Sequence, residues 1–156
     1  MKFRTVNELQ TIGLNDMKIE RVRHTEQDLI LTLSGGIIKA ENKNNTRYQD
    51  VYCMQMILEL QDITFQSFCL QGFQYFNADG KLLKKIPDQP LEQEEIREAL
   101  SKAEGARVYE FEPAGDSFLL TYDVLDEDGD IEATYQAEFT VGKSIASWDR
   151  FSGPVE

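Results

Sequence analysis

The sequence predicts an α+β fold: a large antiparallel sheet of about seven to eight strands, able to curl toward a barrel, with one longer helix and a short helix at each terminus. Three observations indicate this. Apolar and polar residues alternate along most of the chain, turn residues separate the alternating runs, and one run, at about residues 90–104, has a helical period. With 156 residues, we expect a single globular domain, residues 1–156, whose core needs no disulfide or metal.

A short helix is predicted at the N-terminus. Thr5 and Glu8 have the spacing of a capping box, in which each side chain bonds a free backbone N–H of the first turn. Gly13 stands where a glycine commonly ends a helix. The apolar positions that would share one helical face are Val6, Leu9 and Ile12.

Strand patterns follow this helix. Residues 17–23 form a weak one, with a polar turn at His24–Asp28, and residues 29–39 alternate more clearly. Gly35-Gly36 either turns a tight hairpin or kinks one long strand, and the sequence leaves both alternatives open. Residues 48–60 give the longest strand pattern, with apolar side chains on both faces, which is typical of a central strand.

A hairpin is predicted next. Residues 63–76 form a strand pattern, and Asn77-Ala78-Asp79-Gly80 turns it into residues 81–86, because Asp-Gly is a strong hairpin signal. The second strand carries a small basic ribbon, too short for nucleic-acid affinity and typical of a protected sheet edge. The ribbon consists of Lys81, Lys84 and Lys85.

The longer helix is predicted over about residues 90–104. Pro90 suits its first position, and Gly105 ends it. Glutamates in the first turns and Lys102 near the end complement the helix dipole. The predicted buried stripe consists of Ile96, Ala99, Leu100 and Ala103.

Three more strands and a terminal helix complete the prediction. The strands span residues 107–112, 118–125 and 131–141, and the last alternates so regularly that we expect one buried and one wet face. The helix is predicted at about residues 145–152, with Ser144 as its cap. Its apolar positions would be Ile145, Trp148 and Phe151.

The acidic side chains are concentrated. Between Val108 and Gly142 there are ten carboxylates and no Lys, Arg or His, so this stretch supplies −10 of the net charge of −12. Such a surface repels nucleic acid and anionic membranes and attracts cations or a basic protein. No apolar run approaches the roughly 20 residues that span a bilayer, and the start lacks a signal-peptide pattern. We therefore expect a cytoplasmic protein that binds neither nucleic acid nor membrane.

Five residues are candidates for binding. Asp126, Asp128 and Asp130 suggest a calcium loop, but an EF-hand alignment puts Val124 and Tyr135 at required ligand positions. A hairpin turn is therefore the preferred interpretation, and a weak cation site is the alternative. The other two candidates, Trp148 and Arg150, are residue types enriched at binding hot spots, although the helical spacing around Trp148 favours a helix docked on its own core.

No complete catalytic, metal or cofactor set is visible. His24 is the only histidine and lies in a charged turn, and Gly142-Lys143-Ser144 lacks the earlier glycine of a P-loop. Asp123 interrupts a strand and is either half-buried with a raised pKa or outward on a wet face. Cys53 and Cys69 lie in apolar runs, which favours reduced thiols, while a disulfide between them stays open.

Three functions are compatible with these observations. The first hypothesis is a non-catalytic protein-binding module, regulatory or immunity-like, with a basic partner on the acidic face. The second is a carrier or sensor of a small apolar ligand in an aromatic-lined hollow. The third and least favoured is an enzyme that uses paired carboxylates. The hollow would be lined by Phe65, Phe68, Phe73, Tyr75, Phe118, Tyr122, Tyr135 and Phe139.

Overall fold

The computed structural model describes residues 1–156. It is mostly β, with 58% of residues in strands and 8% in helical turns, so the prediction of an α+β fold with several helices is wrong. The elements are β1 (Phe3–Val6), a 3₁₀ turn (Leu9–Thr11), β2 (Ile12–Gly13), β3 (Ile19–His24), β4 (Leu29–Ile38), β5 (Val51–Gln61), β6 (Thr64–Leu70), β7 (Phe73–Phe76), β8 (Leu82–Ile86), β9 (Gln89–Pro90), α1 (Gln93–Lys102), β10 (Arg107–Ala114), β11 (Ser117–Leu125), β12 (Ile131–Thr140) and β13 (Lys143–Pro154).

The strands form two main antiparallel sheets and a separate hairpin. The first sheet has the order β1-β13-β5-β4-β2, with β3 also paired with β4, and the second has the order β10-β11-β12-β6-β9. Strands β7 and β8 pair only with each other. No helix combines the length and the apolar character needed to cross a bilayer.

The two sheets are joined by one bent ribbon. Strands β5 and β6 on one side and β12 and β13 on the other keep the same register through the bend, from Lys143↔Gln61 to Thr140↔Thr64. At the bend Asp62 has a φ of 52°. A Cβ on Gly142 would lie 2.9 Å from the Cβ of Asp62, so glycine lets the two chains approach.

At the other edge, the segment before β3 closes on β10. The N–H of Val108 donates to the carbonyl of Met17 at 2.8 Å, and that of Ile19 donates to the carbonyl of Ala106 at 2.8 Å. The two sheets, joined at one edge and closed at the other, therefore form a curled sheet, as predicted. The core lies between the two layers, and α1 covers it through Ala99 and Leu100. The hydroxyl of Tyr122 donates to the carbonyl of Ala99 at 2.6 Å.

A row of three residues reverses the pleat of the first sheet. The residue pairs on either side place Ser34, Gln55 and Asp149 opposite one another in β4, β5 and β13. None of these three residues is itself paired with its neighbour. On one side of the row the inward residues include Leu33, Met56 and Trp148. On the other side they are Gly36, Ile38, Val51, Cys53 and, half-buried, Phe151. Gln55 has a φ of 30°, and β4 continues through Gly35-Gly36, so the kinked-strand alternative is correct.

The predicted N-terminal helix is wrong. β1 pairs with β13, with Thr5 opposite Ala146, and only the 3₁₀ turn Leu9–Thr11 is helical. The hydroxyl of Thr5 does contact Glu8, donating to Oε1 at 2.9 Å, but within a strand-to-turn connection. The backbone of β1 is satisfied by a strand nearly the whole chain length away, a partner that local spacing cannot reveal.

The predicted C-terminal helix is also wrong. Residues 143–154 form β13, which lies between β5 and β1 and pairs with both. Ser144 is no helix cap, since its N–H donates to Oδ1 of Asn7 at 2.9 Å. The apolar spacing of three between Trp148 and Phe151 imitates a helix because the pleat reverses at the intervening Asp149.

The longer helix is present but shorter than predicted. It spans Gln93–Lys102, because Gln89–Pro90 pairs with β6 as β9. Glu92 is the N-cap, and its N–H donates to Oε1 of Glu95 at 3.0 Å in a capping box. Gly105, with a φ of 89°, follows the helix end.

Cys53 and Cys69 are both free thiols. Burial raises the pKa of the Cys53 thiol to about 12, and burial followed by the nearby Asp88 carboxylate raises that of Cys69. Since the thiolate is the reactive form, we expect iodoacetamide at pH 8 to modify Cys53 on the order of 1,000-fold more slowly in the native protein than in urea. A Cys69→Ser variant isolates this thiol for mass spectrometry. Equal rates in the two solvents would contradict its burial.

Candidate binding surfaces

The hairpin β7–β8 projects from the second sheet, and we call residues 73–86 the arm. Its register, Phe73↔Ile86, continues that of β6 and β9, Leu70↔Gln89. All nine residues of its two strands are exposed. The arm therefore has no packing partner within its own chain.

The arm carries its apolar side chains on both faces. Phe73 and Ile86 are opposite each other on one face, and Phe76 and Leu82 on the other. Leu83 lies at an irregularity in the ladder and is 64% exposed. In all, six large apolar side chains are 39–64% exposed, namely Phe73, Tyr75, Phe76, Leu82, Leu83 and Ile86.

The base of the arm requires glycine. A Cβ on Gly72 would clash with the backbone carbonyl oxygen of Ile86, so no other residue fits here without a shift of the backbone. The N–H of Gly72 donates to Oδ1 of Asp88 at 2.8 Å and ties the two chains together. An open cleft of about 480 Å³ lies here, lined by Gly72–Gln74 and Lys85–Asp88.

The charge of the arm is opposite to that of the rest of the chain. Lys81, Lys84 and Lys85 outnumber Asp79, so residues 73–86 carry +2 in a chain of −12. The tip itself is a polar turn, in which Oδ1 of Asn77 accepts hydrogen bonds from the N–H groups of Asp79 and Lys81, both at 2.9 Å. The arm is thus apolar and cationic along its length and polar at its end.

The acidic hairpin between β11 and β12 projects beside the base of the arm. β12 and β6 are antiparallel neighbours, and the N–H of Gln71 donates to the carbonyl of Thr134 at 2.8 Å. Asp126, Asp128 and Asp130 are exposed in its turn. Oδ1 of Asp126 accepts hydrogen bonds from the N–H groups of Asp128 and Asp130, both at 2.9 Å, so this carboxylate stabilises the turn. No group of three or more potential ligands is close enough to hold a metal ion.

The other two predicted binding residues lie elsewhere. Trp148 is fully buried in the first sheet, with ring centroids 5.7 Å from Phe3 and 5.9 Å from Phe151. Arg150 is exposed two residues further along β13 and forms none of the chain's ion pairs. The three aspartates therefore share one exposed turn without converging on a metal site, and Trp148 and Arg150 lie in the other sheet.

The aromatic residues proposed to line a hollow do not enclose one. Phe73 and Tyr75 lie on the arm. The other six, in the second sheet, pack on one another with centroids 5.2–6.5 Å apart in the closest pairs. They fill this part of the core, and the carrier hypothesis loses the cavity on which it was based.

Asp123 is the one deeply buried carboxylate of the acidic stretch. It is 4% exposed, accepts a hydrogen bond from Oγ1 of Thr134 at 2.8 Å and lies 3.7 Å from Nη2 of Arg107. No second buried carboxylate accompanies it. At the surface, the nearby Glu112 carboxylate raises the pKa of Glu110.

A smaller cleft of about 310 Å³ lies between α1 and the β3–β4 turn. The apolar side chains in it belong to Ile63, Phe65, Ile96 and Leu100, and polar groups of His24, Glu26 and Arg97 surround them. His24, predicted to lie in an exposed turn, is half-buried at the end of β3.

The arm is a surface that the local sequence pattern does not predict. Its hairpin was predicted, and the available signal was the presence of apolar residues on both faces of a strand that also carries three lysines. A strand that is apolar on both faces is normally covered on both faces, so the covering layer must come from outside these two strands.

Comparison of the chain with protein-family models, with curated proteins and with solved structures gives no match.

Proposed function

We propose that the protein is a non-catalytic protein-binding module and that the arm is its principal contact surface. The observation that carries this proposal is the exposure of six large apolar side chains on a two-stranded hairpin without a packing partner. Monomeric proteins rarely expose contiguous apolar patches of this kind unless they bind something. An isolated two-stranded hairpin is marginal in water, so insertion into a partner also stabilises it.

The chemistry of the arm favours a partner with an apolar groove flanked by carboxylates. Lys84 and Lys85 lie on opposite faces of β8, beside the apolar side chains. The polar tip at Asn77 and Asp79 is unsuited to enter a lipid bilayer end-on. A ribbon with apolar side chains along both faces instead suits a groove that covers it lengthwise.

The test uses substitutions on the arm. We expect Leu83→Asp and Phe76→Asp each to weaken the complex by about 2 kcal/mol or more, on the order of 30-fold in Kd, because apolar anchors dominate interfaces. The partner is first identified by a photo-crosslinking residue at position 83, and Kd is then measured by calorimetry. Tyr48→Asp is the matched control, since Tyr48 is 94% exposed and distant in the chain from the arm.

The acidic hairpin offers the competing contact, with a basic partner. In that case Asp128→Asn with Asp130→Asn would weaken binding more than Leu83→Asp, and affinity would fall steeply with salt, because exposed charges are screened beyond about 8–10 Å near physiological ionic strength. That pattern would overturn the assignment of the arm as principal contact. A complex held by the arm weakens only modestly between low and high salt.

A further inference from the structure

We infer that the cleft between α1 and the β3–β4 turn is a separate binding site for a small apolar molecule that ends in a carboxylate. The site is independent of the arm: none of the residues that line it belongs to residues 73–86. Three parts of the chain form it, namely the turn at His24–Glu26, the start of β6 at Ile63–Phe65, and α1.

The apolar part of the cleft is held in place by the core. Phe65 packs against Phe68 at a centroid distance of 5.2 Å and against Phe139 at 6.2 Å, so its ring has little freedom to move. Leu100 is 7% exposed and belongs to the main core cluster, with Ile63, Phe65 and Ile96 packed against that cluster. These side chains present an apolar surface that a ligand can cover without first ordering it.

Arg97 is available to bind an anionic group. Its Nη2 lies 4.0 Å from Oε1 of Glu26, the longest of the chain's ion pairs, and the side chains are 58% and 87% exposed. Exposed pairs of this geometry contribute little. A ligand carboxylate can therefore take the guanidinium in the stronger two-point arrangement.

His24 supplies a second donor. Its Nε2 lies 3.5 Å from Oγ of Ser101, whose hydroxyl donates to the carbonyl of Arg97 at 3.1 Å. With the hydroxyl proton committed to that carbonyl, the serine oxygen is an acceptor, which favours the tautomer with hydrogen on Nε2. The distance between Nε2 and the serine oxygen is long for a hydrogen bond, so this N–H is available to donate to a ligand oxygen instead.

The size of the cleft suits a small ligand. A volume of about 310 Å³, at roughly 30 Å³ for each water-sized group, holds about ten non-hydrogen atoms. Octanoate has this size and combines an apolar chain with a carboxylate. Glu26 is the one carboxylate that lines the cleft, and it opposes the ligand's charge.

The test is titration of the ¹⁵N-labelled full chain with octanoate, followed by NMR. We expect shifts confined to residues around the cleft, about tenfold weaker binding in Arg97→Gln, and several-fold tighter binding in Glu26→Gln. Octylamine, with the same apolar chain and the opposite charge, should not bind there. Arg150→Gln is the matched control for loss of an exposed arginine and should leave Kd unchanged.

Three outcomes would overturn the proposal. Equal binding of octylamine and octanoate would show that the head group is not recognised by Arg97. Shifts at the arm that disappear in Leu83→Asp, without shifts at the cleft, would show that octanoate merely adsorbs to exposed apolar side chains. An unchanged affinity in Arg97→Gln would likewise exclude this arginine as the anchor.

Discussion

Replacing Trp148 by alanine is expected to lower the free energy of unfolding by about 3–5 kcal/mol, the typical cost of deleting a large buried aromatic side chain. Trp148 is fully buried, packs against both Phe3 and Phe151, and is paired with Met56 of β5. A typical domain is stable by about 5–15 kcal/mol, so the loss is a large fraction of the total. Urea denaturation followed by circular dichroism measures it.

Two further variants show whether the effect comes from apolar packing. The indole N–H of Trp148 has no hydrogen-bond partner, so Trp148→Phe loses no hydrogen bond and should cost less than half as much as alanine. Tyr109→Ala, at an aromatic side chain that is 63% exposed, should change stability by less than about 0.5 kcal/mol. Similar effects for Trp148→Ala and Tyr109→Ala would contradict the position of β13 within the first sheet.

Substituting Gly35 by alanine is expected to destabilise the protein by about 1–3 kcal/mol or more, as overpacking does in well-packed interiors. An added Cβ would lie 2.6 Å from the backbone carbonyl oxygen of Cys53 in the neighbouring strand. Because the contact is with backbone, the strands themselves must separate to relieve it. Denaturant midpoints of the variant and the parent protein give the difference.

Gly153→Ala is the matched control, on β13 of the same sheet. An added Cβ there meets no atom within 4 Å, so the substitution should be neutral within about 0.5 kcal/mol, or slightly stabilising through the unfolded chain. If Gly35→Ala proved as harmless as the control, the close approach of β4 and β5 at this point would be wrong.

Much of the second sheet was predictable from local pattern. The strands predicted at 118–125 and 131–141 correspond to Ser117–Leu125 and Ile131–Thr140, and the acidic turn between them was the preferred interpretation of Asp126–Asp130. Alternation places Tyr135, Ala137 and Phe139 inside, where they are buried. The local pattern is sufficient here because β11 and β12 are joined by a short turn. The pairing partner of each strand and the register between them are therefore both set by nearby residues.

The termini were not predictable in this way. β1 pairs with β13, from opposite ends of the chain, and the local sequences of both fit helices better than strands. Their conformation is determined by pairing with a strand that is remote in sequence, and a local stretch of residues carries no information about that partner. The cleft is hidden for the same reason, because its groups come from residues 24–26, 63–65 and 93–100. The arm was missed differently: its hairpin is local, but its exposure depends on the absence of a covering layer.

The row of Ser34, Gln55 and Asp149 has a consequence for how this sheet can change over evolutionary time. Loss of one residue from β5 alone would turn every β5 side chain beyond the deletion to the opposite face of the sheet. The side chains of the neighbouring strands β4 and β13 would keep their original faces. The mismatch disappears only when all three strands lose their residue together. We therefore expect insertions and deletions near this row to be rare in related sequences and, where they occur, to come as a matched set in β4, β5 and β13.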